Sequence, residues 1–149
     1  MLLLMNRIIF AIALVLACAT MLGEPKDSGR TIPCKTPEIA PSCYWTHGRL
    51  GFYNGNPAFR IWRIGTTRLM GIFSGPSSYH SPFADTTPLD DDENPEFPTN
   101  VRRTLKTHQE SGLPLRIYAD FEVCPLEPEK AGAMQAACIE SARNITTEK

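Results

Sequence analysis

From Leu115 to Cys124 the side chains alternate in character: Ile117, Ala119, Phe121 and Val123 fall on one side, and Arg116, Tyr118, Asp120 and Glu122 on the other. A period of two marks a strand with one face against a core and the other toward water. The chain must therefore build a sheet able to cover that apolar face. Its 13 prolines in 149 residues work against long helices as the means of doing so.

Partner strands precede it. Tyr44 to Tyr53 is rich in aromatic and β-favouring residues, and Asn54-Gly55-Asn56-Pro57 follows with the positive φ that a tight hairpin turn requires. Ala58 to Ile64 reads as the return strand, with Phe59, Ile61 and Arg63 on one face and Arg60, Trp62 and Ile64 on the other. Gly65-Thr66-Thr67 turns the chain again, and Arg68 to Phe73 completes a three-stranded meander. Residues 74–110 then form a Pro-punctuated surface excursion with an acidic run, Asp90-Asp91-Asp92-Glu93, and room for a short helix around Val101 to Glu110. After a loop from Pro125 to Gly132, Met134 to Ile145 fits either a helix or a strand. The strand is preferred, because a hairpin near Ala131-Gly132 sets Cys124 opposite Cys138. The expected fold is mainly β, a small antiparallel open barrel (OB-like) or sandwich spanning residues 43–145, with α+β as the alternative.

The amino terminus has the grammar of an export signal. Arg7 precedes an unbroken apolar stretch from Ile8 to Ala19, and Ala17-Cys18-Ala19 puts alanine at both specificity positions for cleavage after Ala19. Residues 1–19 therefore read as a signal peptide and residues 20–42, with Pro25, Pro33, Pro37 and Pro41, as a Pro-rich lead-in. A rival reading makes Val15-Leu16-Ala17-Cys18 a lipoprotein site acylated at Cys18, although Leu16 fits it poorly. Either way the expected location is exported: periplasmic, secreted or associated with the cell envelope. Membrane contact is expected only through the signal segment or a lipid anchor. Cys34, Cys43, Cys124 and Cys138 remain, an even number in an exported chain, which favours two disulfides. The sequence-local pairing, Cys34 with Cys43 and Cys124 with Cys138, is preferred among the three possible.

The blocks His47-Gly48-Arg49-Leu50, Tyr53 to Pro57, Arg60 to Thr66 and Leu69 to Ile72 resemble those of an uncharacterised family of exported bacterial proteins. So do Asp120 to Leu126, Met134-Gln135 and Cys138 to Ser141. The resemblance spans about half of the chain left after residues 1–19 are removed. It implies export, one domain and a β reading of the C-terminal segment, and it carries over no catalytic residue.

Chemistry is sparsely signalled. With 15 basic and 16 acidic residues the formal charge is −1, which provides no general attraction to polyanions and no strong nucleic-acid signal. Arg49, Arg60, Trp62 and Arg63 are the candidate ligand contacts, a basic and aromatic set that on an exposed sheet face would suit a glycan or a protein. Arginines stacked on aromatics to cover a sheet would look the same. The leading expectation is thus a non-catalytic binding or structural domain. The alternative is a small exported hydrolase using His47 with a carboxylate such as Asp120. Asp90, Asp92, Asn94 and Glu96 sit at alternate positions as in an EF-hand loop, yet Pro95 stands where glycine is needed and Val101 where the bidentate carboxylate belongs. His47, His80 and His108 are scattered and no CxxC pair occurs, so neither a metal nor a cofactor is expected.

Overall fold

Side-chain alternation converts five segments into strands that curl until the first meets the fourth. A computed structural model describes residues 29–79, 94–111 and 115–148. Among the described residues the strands are β1 (Tyr44–Phe52), β2 (Phe59–Arg63), β3 (Leu69–Ile72), β4 (Arg116–Pro125) and β5 (Gln135–Thr147), and the helix α1 (Thr99–Ser111) lies between β3 and β4. They close into a barrel in the order β1-β2-β3-β5-β4. The chain is mainly β and the architecture is OB-like rather than a sandwich.

Two details differ from the expectation. The barrel is closed, and it is not wholly antiparallel: β3 and β5 run parallel, with Met70 beside Gln135 and Ile72 beside Ala137. A parallel neighbour needs a long crossover, which the excursion, α1 and β4 together provide. The segment Gln135–Thr147 is the preferred strand, and the short helix for which Val101 to Glu110 left room is α1.

Both hairpins of the meander form. Tyr53 N–H donates to the Ala58 carbonyl across the β1–β2 connection (2.8 Å), and Arg63 N–H to that of Arg68 across the next (3.1 Å). The first loop is wider than a two-residue turn, and of Asn54 and Gly55 only Gly55 takes a positive φ (102°).

Leu50, Ile61, Met70, Ile72, Ile117, Ala119, Phe121, Val123 and Ile139 fill the barrel. Val101, Leu105 and His108 lie on one stripe of α1, at helical spacing; Val101 and His108 are buried and Leu105 packs on the core. Asn100 fastens the first turn by donating its side-chain N–H to the Ala142 carbonyl (2.6 Å).

The four cysteines form two disulfides, Cys34–Cys138 and Cys43–Cys124. This corrects the expected sequence-local pairing. Cys124 does lie opposite Cys138, as the hairpin requires. On its other side, however, the β1–β4 register ends at Tyr44 beside Val123, which brings Cys43 to 4.1 Å from Cys124 between Cα atoms. Cys34 then reaches Cys138, from a lead-in whose last residues form a 3-10 turn at Ala40–Ser42.

The lead-in is also tied down by polar contacts. Arg30 donates to the carbonyls of Ile32, Ser74, Glu96 and Ile139. The Glu96 carboxylate accepts the N–H groups of Thr31 and Ile32 (both 2.8 Å). Glu96 is thereby engaged as an anchor of the lead-in, and Val101 is in the core. The signal segment with Cys18, His80 and the Asp90–Glu93 run lie outside the described residues. No helix among the described residues is long and apolar enough to cross a membrane.

Candidate functional site

The β1–β4 register places β1 at the middle of a broad outer surface. Residues paired across neighbouring strands share a face, so Trp45, His47 and Arg49 of β1 stand beside Glu122, Asp120 and Tyr118 of β4. On the other flank Arg49 pairs with Trp62 of β2, and Ile64 donates its N–H to the His47 carbonyl. Beyond β4, Arg143 of β5 pairs with Asp120.

This face carries much of the exposed apolar surface. Among the described residues the large exposed apolar side chains are Trp45 (42%), Phe52 (56%), Trp62 (43%) and Ile64 (48%). Three of these four lie on the β1-centred face, and Phe52 lies at one end of the barrel. Both indoles have an arginine over them: Arg143 sits 4.2 Å from the Trp45 ring centre and Arg49 sits 5.7 Å from that of Trp62. Burial would lower the Arg49 guanidinium, but hydrogen bonds with Tyr53 and Tyr118 outweigh it and hold the group above its ordinary value.

At the centre of the face His47 Nδ1 is 2.9 Å from Asp120 Oδ1. An ionised carboxylate only accepts, so Nδ1 is the protonated nitrogen and donates to it. Asn144 donates to the other oxygen, Oδ2, at 2.7 Å, and Arg143 Nε lies 3.7 Å from it. The Asn144 contact depends on a β-bulge. Tyr118 pairs with Thr146 but Asp120 with Arg143, so β5 carries one extra residue, and Asn144 adopts a left-handed φ of 55°. Hydrogen bonding from His47 first, then from Asn144, holds the Asp120 carboxyl below its usual value.

The four residues picked from the sequence do not form one surface. Arg49 and Trp62 meet on the outer face. Arg60 serves the β1–β2 loop: it stacks over Tyr53 (5.4 Å) and donates to the carbonyls of Pro57 (3.0 Å) and Asn54 (3.3 Å). Arg63 pairs with Gly48, whose added Cβ would strike Ile61, so it faces into the barrel end over Tyr44 (5.4 Å). Sequence reasoning missed Trp45, Ile64 and Arg143 as members of the face. The period-two pattern already put Ile64 with Trp62 and Arg63 with Ile61, whereas the meeting of Trp45 with Arg143 depends on which strands are neighbours.

His47 and Asp120, proposed from the sequence as an acid-base pair, are in contact. A covalent route through such a pair needs a side-chain nucleophile, and a metal-assisted one a bound ion. The register surrounds His47 with Trp45, Arg49, Ile64 and Asp120, none of which is a serine, threonine or cysteine. No group of three His, Cys, Asp or Glu able to hold a metal occurs among the described residues.

Searches of family profiles, curated proteins and solved structures find no match to this chain. The functional reading therefore rests on the geometry of the face.

Proposed function

We propose that this protein is an exported, non-catalytic binding domain that captures a protein partner on the β1-centred face of its OB-like barrel. The observation that carries the reading is the convergence of Trp45, Trp62 and Ile64, all exposed, with Arg49 and Arg143 stacked on the two indoles. Trp, Tyr and Arg are the side chains that dominate protein–protein hot spots, because they bury large areas while keeping polar reach. Isolated exposed apolar residues need no explanation, but three on one face do. A protein suits the face better than a glycan, since the arginines already occupy indole surface that a sugar ring would stack on. Export is supported by the leader sequence and by two disulfides joining distant segments, which fit an oxidising compartment.

The test is photo-crosslinking from positions 45 and 62 in the native extracytoplasmic fraction, with position 102 on the exposed side of α1 as control. A discrete protein adduct is expected from 45 and 62 and not from 102. In the Trp45→Ala/Trp62→Ala variant, binding to the partner so identified falls by at least about tenfold with the fold intact, each indole being worth roughly 2 kcal/mol in a hot spot. Adducts to carbohydrate alone would replace the protein reading, and no adduct above the control would remove it.

A second reading is favoured by one observation, the 2.9 Å contact of His47 with Asp120. It makes the chain a hydrolase whose nucleophile is an activated water. His47→Ala would then abolish turnover of an ester or amide panel at unchanged stability. If the variant alters only partner affinity, the pair serves to hold the face in shape.

A further inference from the structure

A separate hollow lies at the end of the barrel where the start of β4 and the end of β1 meet α1. Its volume is about 710 Å³, within the range of small-molecule sites. Phe52, Phe59, Leu105 and Leu115 supply its apolar wall, and Arg49 and Arg116 stand at its polar side. Among the described residues no carboxylate contributes to the lining. Arg116 is held by Glu148 (2.9 Å), but both side chains are half exposed, so the pair is an exchangeable surface contact.

Phe52 is the most exposed of the large apolar side chains among the described residues. It begins an edge-to-face series that runs inward, with ring centres 5.2 Å apart to Phe59 and 5.0 Å from Phe59 to Phe97. An aromatic ring left in water at the mouth of an apolar hollow is surface that a ligand can cover. A second hollow of about 430 Å³ shares Phe52, Tyr53 and Asn94 and continues under the β1–β2 loop.

We propose that this hollow binds a small amphipathic anion, an apolar carboxylate of the fatty-acid type. The chain would lie on Phe52, Phe59, Leu105 and Leu115, and the carboxylate would be met by Arg49 and by Arg116, displacing Glu148. The chemistry follows from the described wall: two guanidiniums, one of them already holding a carboxylate in Glu148, favour an anion, and four apolar side chains favour a tail. The site shares Arg49 with the edge of the protein-binding face, but its apolar wall and Arg116 lie outside the set of residues that carries that reading, and it does not rest on it.

The test is calorimetric titration of the protein, both disulfides formed, with laurate below its micelle concentration. Dodecanol serves as the neutral counterpart and acetate as the head group alone. Saturable binding of one laurate is expected, with dodecanol and acetate each weaker by about tenfold or more, the loss of one charged hydrogen-bonded contact or of the apolar one. Arg116→Gln and Phe52→Ala, both on exposed side chains, should each weaken laurate by roughly five- to tenfold at unchanged circular dichroism. Glu148→Gln should tighten it, because the ligand no longer competes for Arg116. Equal binding of laurate and dodecanol, indifference to Phe52→Ala and Arg116→Gln, or no saturable binding would each overturn the proposal.

Discussion

Glu96 shows how one side chain can hold a segment that has no secondary structure of its own. Its carboxylate receives two backbone N–H groups, and Arg30 donates to its main-chain carbonyl as well as to three others. Hydrogen bonding from Ile32 holds the Glu96 carboxyl below its ordinary value, aided by Thr31 and the Arg30 charge and opposed by desolvation. A group whose value is depressed by folding stabilises the native state above its unfolded value and loses that contribution as pH falls through the folded one. Glu96→Gln should therefore cost about 1 kcal/mol at neutral pH in urea titrations, and the gap from the parent should close in acid. A pH-independent gap would mean that shape, not charge, is what the site uses. Little of this was legible beforehand. In the sequence Glu96 reads only as the last oxygen of an EF-hand-like alternation, while its two N–H partners lie more than sixty residues earlier, a distance over which local pattern is silent.

Among elements, β4 was the most legible because its alternation is local and complete, and the two hairpins of the meander followed from Asn54-Gly55 and Gly65 for the same reason. The helix could be placed but not explained until the core was known, since its apolar stripe is short and includes His108. The division of the arginines was half legible. Alternation put Arg63 with Ile61, but it could not say that this face was the inside of a barrel. Closure of that barrel depends on β1 being able to lie close to β2 at Gly48. A Cβ added there would meet Ile61 Cγ2 at 2.5 Å and the Trp62 carbonyl oxygen at 3.2 Å. Ile61 is fully buried, and its β-branched side chain is restricted at χ1. Gly48→Ala should thus lose about 1–3 kcal/mol by overpacking, read as a lowered denaturation midpoint with an unchanged denaturant slope. A neutral result would show that the β1–β2 spacing is set elsewhere.

The disulfide pairing belongs to the whole molecule. Cys43, just before β1, lies beside Cys124 of β4, which pairs on its other side with Cys138 of β5, so Cys124 has a sulfur neighbour on each side. Sequence distance favours Cys138, but the decision is made by Cys34, which is brought by the lead-in to Cys138 and leaves Cys124 to Cys43. The two closed loops then span sequence separations of 104 and 81 residues, and cross-links of that length restrict the unfolded chain more than short ones do. Removing one by Cys34→Ser/Cys138→Ser should cost roughly 2–5 kcal/mol and expose the lead-in to protease, while the Cys43–Cys124 link keeps β1 beside β4. Cys34→Ser alone has a different consequence. It leaves the Cys138 thiol next to an intact Cys43–Cys124 bond, where a thiolate can attack Cys124 and release Cys43. Non-reducing peptide maps of the single variant should therefore show two isomers, Cys43–Cys124 and Cys124–Cys138, in proportions that vary with pH as the thiolate fraction rises. The double variant should show only the first. A single isomer from Cys34→Ser would mean that the β1–β4 register, rather than the competition among the sulfurs, fixes the pairing.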